Sequence, residues 1–329
     1  MCFAGVVILA LAAACIRDPL RPHRGDPTPW PLGFDDIDIN PEWSHDGRFV
    51  AYQRWLPSSD GPAGIYIVSA SGGTPRFVTR AGYCQSVRFS PDDRSLAIAR
   101  DDQLAVIDLG SGAEREPVHA TFGIRSPDWS PDGTMIAYQR LGSTNVAPRE
   151  SIGIHVIDLR SGEERSLAYH DTLQLGADPI WTPEGDAIAV RQNLDEFWRL
   201  AIIRTDGSAL RTILRSASGG GLSAMHRHHD LRLGGGLVAS GNLSVGPAAA
   251  FVNWDGTAIQ ILPTDYSMAD VYSYDGLRGV GSRYDARDSL TALFTFKTGD
   301  LTGATYHQIT HYAPATGIAS RLPAIPVAK

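Results

Sequence analysis

The sequence predicts an all-β fold, a six-bladed β-propeller of four-stranded antiparallel blades. Three observations predict it. A ten-residue phrase occurs twice, as WSHDGRFVAY from Trp43 to Tyr52 and WSPDGTMIAY from Trp129 to Tyr138. Weaker copies continue it at a mean period of about 46 residues, within the range of propeller blades. No stretch carries a sustained 3.6-residue apolar period with caps, so few helices are expected.

The repeat aligns on one acidic position: Asp46, Asp92, Asp132, Glu184, Asp230 and Asp275. Their spacings are 46, 40, 52, 46 and 45 residues. Around most of these anchors the chain reads Ser-Pro-Asp-Gly or a near variant. Pro presets φ at the first central position of such a turn, Asp suits the second, and Gly accepts the left-handed position that follows. Asp93 stands where the other clear copies have Gly, and Asp tolerates that geometry. The copy at Asp230 is eroded and sits among glycines.

Each element of the period follows from this turn. A short strand enters it, ending in Trp43, Phe89, Trp129 or Trp181. A second strand leaves it, with Ala51, Ala97, Ala137 and Ala189 at one shared position. A small residue recurring there implies close approach of neighbouring sheets. A third strand is β-rich: Ile65–Val68, Leu104–Ile107, Ile154–Ile157, Leu200–Ile203 and Ala250–Val252. A Gly-containing turn follows, then a short fourth strand such as Arg76–Thr79 or Arg211–Leu214. In the sixth period Ala292–Phe296 or Gln308–Tyr312 could be the third strand; the second is preferred, because Ala315-Thr316-Gly317 after it mimics the other Gly turns, with 285–303 as an elaborated hairpin. Phe34–Ile39 could add to an edge of this last blade. The three recurring tryptophans are expected to pack between blades. Trp30, Trp55 and Trp198 fall outside that register, and the last two follow strands where a binding face is possible.

The aromatic-Ser-Pro-Asp-Gly turn, the apolar strand, the Ile-x-Val-x-Asp strand with its Gly turn and the Arg-x-Leu strand together resemble the repeat of TolB-type propellers. The resemblance covers residues 35–322. It implies one propeller domain, 34–329, and a non-enzymatic partner-binding role. Peptidases of the prolyl-oligopeptidase kind carry the same repeat, so it specifies fold better than function. No Gly-x-Ser-x-Gly elbow is present and an intact peptidase is not expected. No P-loop, dinucleotide fingerprint, cysteine-pair zinc motif or EF-hand loop occurs.

The N-terminal run FAGVVILALAAA, residues 3–14, is too short to span a bilayer comfortably and matches a signal-peptide core. It ends in small residues before Cys15, which resembles a bacterial lipobox with Ala12 in the usual Leu position. Residues 1–14 are therefore read as a signal peptide and Cys15 as a lipid-modified residue. By analogy with lipoprotein sorting, Ile16 favours the outer membrane. Residues 15–33, rich in Pro and Arg, form a flexible tether. The expected location is the bacterial envelope, lipid-anchored and facing the periplasm or in the outer membrane. With 29 basic and 36 acidic residues the net charge is −7, without a basic stripe, so nucleic acid is not an expected partner. Of three cysteines, Cys2 falls in the signal and Cys15 at the lipid site, which leaves Cys84 as a structural thiol.

Two clusters carry possible metal chemistry. Met225-His226-Arg227-His228-His229-Asp230 offers three imidazoles; in an extended strand His226 and His228 share one face and His229 takes the other. A related propeller, a metal-dependent polysaccharide lyase, uses histidine ligands. The competing reading is a worn anchor turn showing polar residues at a rim. Asp35-Asp36-Ile37-Asp38 offers oxygen ligands suited to Ca²⁺, or simply a solvated loop. Two functions follow. One is an envelope-anchored propeller without cofactor that binds a protein, peptide or glycan through rim or funnel loops. The other is a divalent-metal lyase using His226, His228 and His229.

Overall fold

The computed structural model describes residues between Asp38 and Thr310, except 55–60, 82–83, 101, 122, 142–152, 170–177, 194–197, 209, 217–221, 229–235, 244–245, 257–258, 263–270, 274–276, 286–289 and 298–305. The signal, tether and lipid-site readings at 1–33, Cys15 included, lie outside the described residues.

The described strands form six four-stranded antiparallel sheets, each a simple meander. The first holds β1 (Asp38–Trp43), β2 (Phe49–Arg54), β3 (Gly64–Ser69) and β4 (Arg76–Thr79). The second holds β5 (Cys84–Phe89), β6 (Ser95–Arg100), β7 (Gln103–Asp108) and β8 (Glu114–His119). The third holds β9 (Ile124–Trp129), β10 (Met135–Arg140), β11 (Gly153–Asp158) and β12 (Glu164–Tyr169). The fourth holds β13 (Ile180–Trp181), β14 (Ala187–Asn193), β15 (Trp198–Arg204) and β16 (Leu210–Arg215). The fifth holds β17 (Leu222–His228), β18 (Gly236–Leu243), β19 (Gly246–Asn253) and β20 (Ile259–Leu262). The sixth holds β21 (Val271–Tyr272), β22 (Arg278–Asp285), β23 (Leu290–Lys297) and β24 (His307–Gln308). The architecture is a β-propeller of four-stranded antiparallel blades.

The sixth sheet departs from the sequence reading. Its third strand is Leu290–Lys297, and Gln308 belongs to the fourth. The reason is packing. β23 pairs with β22 along eight residues, from Arg278↔Lys297 to Asp285↔Leu290. That register buries Ala292, Leu293 and Phe296. The Gly turn at Ala315–Gly317, which suggested the other assignment, lies outside the described residues. Asp38 and Ile39 join β1 rather than extending the last sheet.

Middle strands bury both faces, as the near-continuous burial of Val50–Arg54, Leu96–Ala99 and Ile65–Val68 shows. Such strands need a partner sheet on each side. Apolar clusters fill the seams. Ala51, Ile65 and Ile67 of the first sheet meet Val87, Leu96 and Ile98 of the second. Val106 and Val118 meet Trp129 and Ile136 at the next seam. Ala137 and Val156 meet Trp181 and Ile188. Ile202 and Leu214 meet Leu237 and Val252. The first sheet also packs on the sixth: Trp43, Tyr52 and Val68 share a cluster with Val280, Leu293 and Ile309. Arg278 closes this seam by stacking 4.7 Å over the Trp43 ring and donating to the Gly47 carbonyl at 2.8 Å. Trp43, Trp129 and Trp181 are all buried at seams.

A serine clasp builds the turn between first and second strands. The Ser44 hydroxyl accepts from Phe49 N at 2.9 Å, Ser90 from Ser95 N at 2.9 Å, Ser130 from Met135 N at 2.9 Å and Ser273 from Arg278 N at 3.0 Å. Thr182 does the same for Ala187 N at 3.3 Å. In three copies the hydroxyl donates onward to the anchor: Ser44 to Asp46 at 2.8 Å, Ser90 to Asp92 at 2.7 Å and Ser130 to Asp132 at 2.6 Å. Those carboxylates also accept from Arg48 N, Arg94 N and Thr134 N. Glu184 makes no hydrogen bond among the described residues, and the Thr182 hydroxyl lies 3.4 Å from Asp186 Oδ1 instead. Asp230 and Asp275 lie outside the described residues, although β17 and β18 flank the first of them as the repeat requires.

The turns also meet each other across seams. A Cβ on Gly133 would touch Pro91 at 3.6 Å, and one on Gly185 would touch Pro131 at 3.5 Å. Between the first and second sheets both partners change: His45 stands for Pro and Asp93 for Gly. Asp93 holds the left-handed conformation at φ 58°. Its carboxylate accepts from His45 N at 2.7 Å and Asp46 N at 3.0 Å, and lies 3.0 Å from His45 Nδ1. A polar clamp thus replaces a Pro–Gly contact at this joint.

Two outcomes are expected. The Ser90 hydroxyl holds the Asp92 carboxyl below its ordinary value, aided by Arg94 N against partial burial. The Ser130 hydroxyl and then Thr134 N do so for Asp132. At Asp46 burial opposes the shift, but the bonds from Arg48 and Ser44 outweigh it. Depressed carboxyls stabilise the fold above the ordinary carboxylate pKa, and this contribution is lost as pH falls through their lower folded values. The melting temperature should hold steady down to about pH 5 and drop below about pH 4. Ser90→Ala with Ser130→Ala should make that acid limb shallower; an unaltered limb would locate the acid sensitivity elsewhere. In a denaturation cycle, Asp93→Gly and His45→Pro should each cost about 1 kcal/mol. Together they should cost less than their sum by about 0.5 kcal/mol or more, because the double variant restores the Pro–Gly joint.

Candidate functional site

The first strands β1, β5, β9 and β13 adjoin one another in turn, as do β17, β21 and β1. They therefore face a common axis. Three of them are entered by an x-Pro-x-Trp motif: Asn40-Pro41-Glu42-Trp43, Ser126-Pro127-Asp128-Trp129 and Asp178-Pro179-Ile180-Trp181. Its first residue has positive φ each time, 52° at Asn40, 49° at Ser126 and 34° at Asp178. A non-glycine residue held there costs about 1–3 kcal/mol. The β1 and β9 registers skip at this point, so the motif is a bulge carrying a proline that could not donate to the ladder.

The bulge turns polar side chains toward the neighbouring strand. Ser126 Oγ donates to Asp178 Oδ1 at 2.7 Å, and Asp178 Oδ2 pairs with Arg191. Arg191 in turn lies 5.3 Å over the Trp198 ring. Asp128 Oδ2 accepts from Trp181 N at 2.7 Å, while the Trp181 indole donates to the Asp128 carbonyl at 3.1 Å. Arg88 donates to Glu42 at 2.9 Å, and the Trp129 indole donates to the Arg88 carbonyl at 3.3 Å. A polar belt thus links the inner strands of four sheets.

A second set of charges marks the ends of the second strands. Arg54, Arg100 and Arg140 each stand eight residues past their anchors. Arg54 and Asp38 form a bidentate pair at 2.8 and 2.9 Å, with side chains 0% and 1% exposed. Burial opposes the Arg54 charge, but the Asp38 carboxylate outweighs it and holds the guanidinium above its ordinary value. The Tyr52 and Tyr66 rings flank it at 5.6 and 5.1 Å. Arg100 pairs with Glu114 and Glu116. Arg140 meets Glu164 at 2.8 Å, and Glu164 also takes the Tyr138 hydroxyl and lies 3.0 Å from His155 Nδ1. Burial pushes the Tyr138 phenol up and the Glu164 charge reinforces it. Burial opposes the Glu164 charge, yet His155, Tyr138 and Arg140 hold that carboxyl below its ordinary range. His155 is buried and Tyr138 stacks on it at 5.9 Å. Chemically, these groups neutralise and orient each other.

The sequence-derived sites fare differently. His226 and His228 both belong to β17. Their side chains, His229 and Asp230 lie outside the described residues. Among the described residues no group of three His, Cys, Asp or Glu side chains is placed to hold a metal. Asp38 is no solvated calcium ligand, since the Arg54 pair consumes it; Asp35 and Asp36 lie outside the described residues. Cys84 opens β5, and its side chain is not described. Trp198 is partly buried at the fourth-to-fifth seam, while Trp30 and Trp55 lie outside the described residues. The x-Pro-x-Trp bulge and the arginine eight residues past the anchor escaped the sequence reading. Both were present as repeats on either side of the anchor turn.

No protein-family model matches the chain. Over 174 residues it is 28% identical to an uncharacterized peptidase, YuxL, of Bacillus subtilis, a stretch covering 52% of this chain and 24% of that protein. Over 121 residues it is 32% identical to an uncharacterized protein, Atu1656, of Agrobacterium fabrum, covering 35% and 41% respectively. The matched regions thus span less than half the length of these curated relatives. Among solved structures, TolB from Acinetobacter baumannii superposes with a TM-score of 0.56 at 16% identity, covering 82% of this chain and 66% of that one. An oligogalacturonate lyase in complex with manganese gives 0.54 at 19%, covering 85% and 77%. At such identities the likeness is one of fold, the antiparallel propeller that TolB and the lyase share.

The buried Arg54–Asp38 pair gives a direct test. Arg54→Met strands the Asp38 carboxylate away from water and should cost about 3–5 kcal/mol in chemical denaturation. Adding Asp38→Leu should recover most of that loss. A double variant as unstable as the single one would show that the charge contributes little and shape alone matters.

Proposed function

We propose that the six sheets close as six blades of an envelope-anchored, non-enzymatic propeller that captures a protein, peptide or glycan. Capture uses the loops at one end of the ring. The supporting observation is an asymmetry of connections. First-to-second connections hold five residues in five of the six sheets, and four of the third-to-fourth connections also hold five. At the opposite end, second-to-third connections run from two residues, 101–102, to twelve, 141–152. Fourth-to-first connections there reach ten, at 170–179. A uniform frame at one end with varied loops at the other suits recognition, where loops supply specificity and a rigid scaffold positions them. The inner belt and the paired arginines provide that rigidity. The TolB-like fold agrees with an envelope role, and Cys15 is the proposed lipid site.

A soluble form beginning near Gly33 should capture a partner from envelope extracts. Replacing 142–151 by a two-residue turn should abolish capture and leave the melting temperature within a few degrees. Capture that survives both this change and a matching cut in 170–177 would overturn the reading.

The lyase reading keeps one specific support: His226 and His228 both lie in β17, within a fold shared with a manganese-bound lyase. It requires stoichiometric Mn, Zn or Fe in purified protein, lost in His226→Ala with His228→Ala, and cleavage of an acidic polysaccharide. Metal-free protein after manganese loading would dismiss it.

A further inference from the structure

At the constant-turn end, a cleft of about 770 Å³ opens over the joint between the first and second sheets. It sits where the repeat's Pro–Gly contact gives way to His45 and Asp93, both of which line it. Its apolar walls are Phe49, Ile67, Phe89 and Leu109. Phe49 is 39% exposed, one of only three large apolar residues so exposed among the described residues. Arg48, Arg76 and Arg94 also line the cleft.

The acids beside them are already engaged. Asp46 accepts from Ser44, from Arg48 N and from the Arg48 guanidinium at 2.6 Å. Asp92 accepts from Ser90 and Arg94 N. Asp93 is filled by the His45 and Asp46 amides. The cations have capacity left. Arg76 gives one hydrogen bond, to the Leu109 carbonyl at 3.2 Å. The Arg94 guanidinium makes no hydrogen bond among the described residues, feeling Asp92 and Asp108 only through charge. Guanidinium donors beside an aromatic wall suit a planar anion joined to an apolar body. The volume lies within the range of small-ligand pockets.

We infer that this cleft binds an amphipathic organic acid, an aromatic or branched-aliphatic body bearing a carboxylate. Arg76 and Arg94 engage the anion, and the exposed Phe49 ring packs against the body. The same chemistry occurs in a free acid and in the carboxyl end of a peptide with an apolar last residue. The inference stands apart from the partner-binding reading, because the cleft and the varied loops occupy opposite ends of the strands.

The test uses the aromatic anion 1-anilinonaphthalene-8-sulfonate as a fluorescent probe, with the neutral analogue N-phenyl-1-naphthylamine as control. The anion should bind at one saturable site. Arg76→Ala with Arg94→Ala should weaken it about tenfold or more while leaving the melting temperature and neutral-probe binding unchanged. 3-Phenylpropionate should displace it; displacement also by a pentapeptide ending in phenylalanine assigns a chain end, and its failure assigns a free acid. Equal binding of both probes, no effect of the arginine substitutions, or no displacement by either carboxylate would overturn the inference. Because it needs no loop, the failure of loop-dependent capture leaves this test intact.

Discussion

Every other feature of this molecule depends on one constraint: a four-stranded sheet with two apolar faces cannot stand in water alone. The middle strands here are buried on both sides, and burying a Val, Leu, Ile or Phe side chain is worth about 1.5–3 kcal/mol. Each sheet obtains that burial only from its neighbours. The cluster joining Trp43 and Tyr52 to Val280 and Leu293 brings the first sheet onto the last. Arg278, stacked on Trp43 and bonded to the Gly47 carbonyl, holds the same contact from the polar side.

Around that constraint the polar residues divide the labour. The serine clasp shapes one end of each blade locally, through bonds between residues at most five apart. The inner belt works across blades, with Ser126, Asp128 and Arg88 each reaching a neighbouring strand roughly fifty residues away in sequence. Asp93 acts both locally and across blades at the turn end. It occupies the left-handed position of its own turn and caps the amides of the preceding one, which explains why a non-glycine residue is retained there. The arginines at the second-strand ends add a third set, in which a carboxylate offsets the burial of each guanidinium.

The functional reading follows from where variation is allowed. Constant turns and paired charges fix the frame, leaving loop length at the opposite end free to differ between blades. The joint where His45 and Asp93 replace the Pro–Gly contact is also where a cleft with uncommitted arginine donors opens. A departure from a repeat that involves two contacting positions at once is a more pointed clue to a site than any single unusual residue.

The sequence by itself determined the period, the strands and the turn chemistry, because all three are local. Pro, Asp and Gly at set offsets fix φ, and alternating apolar residues fix the buried faces. It therefore placed β2, β3 and β4 and the seam tryptophans at their observed positions. It misassigned the third strand of the sixth sheet, since a Gly turn is legible locally whereas the pairing of Arg278–Asp285 with Leu290–Lys297 is not. Only the tertiary structure decided that Asp38 is an ion-pair partner rather than a loop acid, that Asp93 clamps another blade and that Arg94 faces a cleft. The first two depend on which residue, distant along the chain or in another sheet, lies within about 3 Å, and the third on which side chains line the space around it; the repeat pattern carries no record of either.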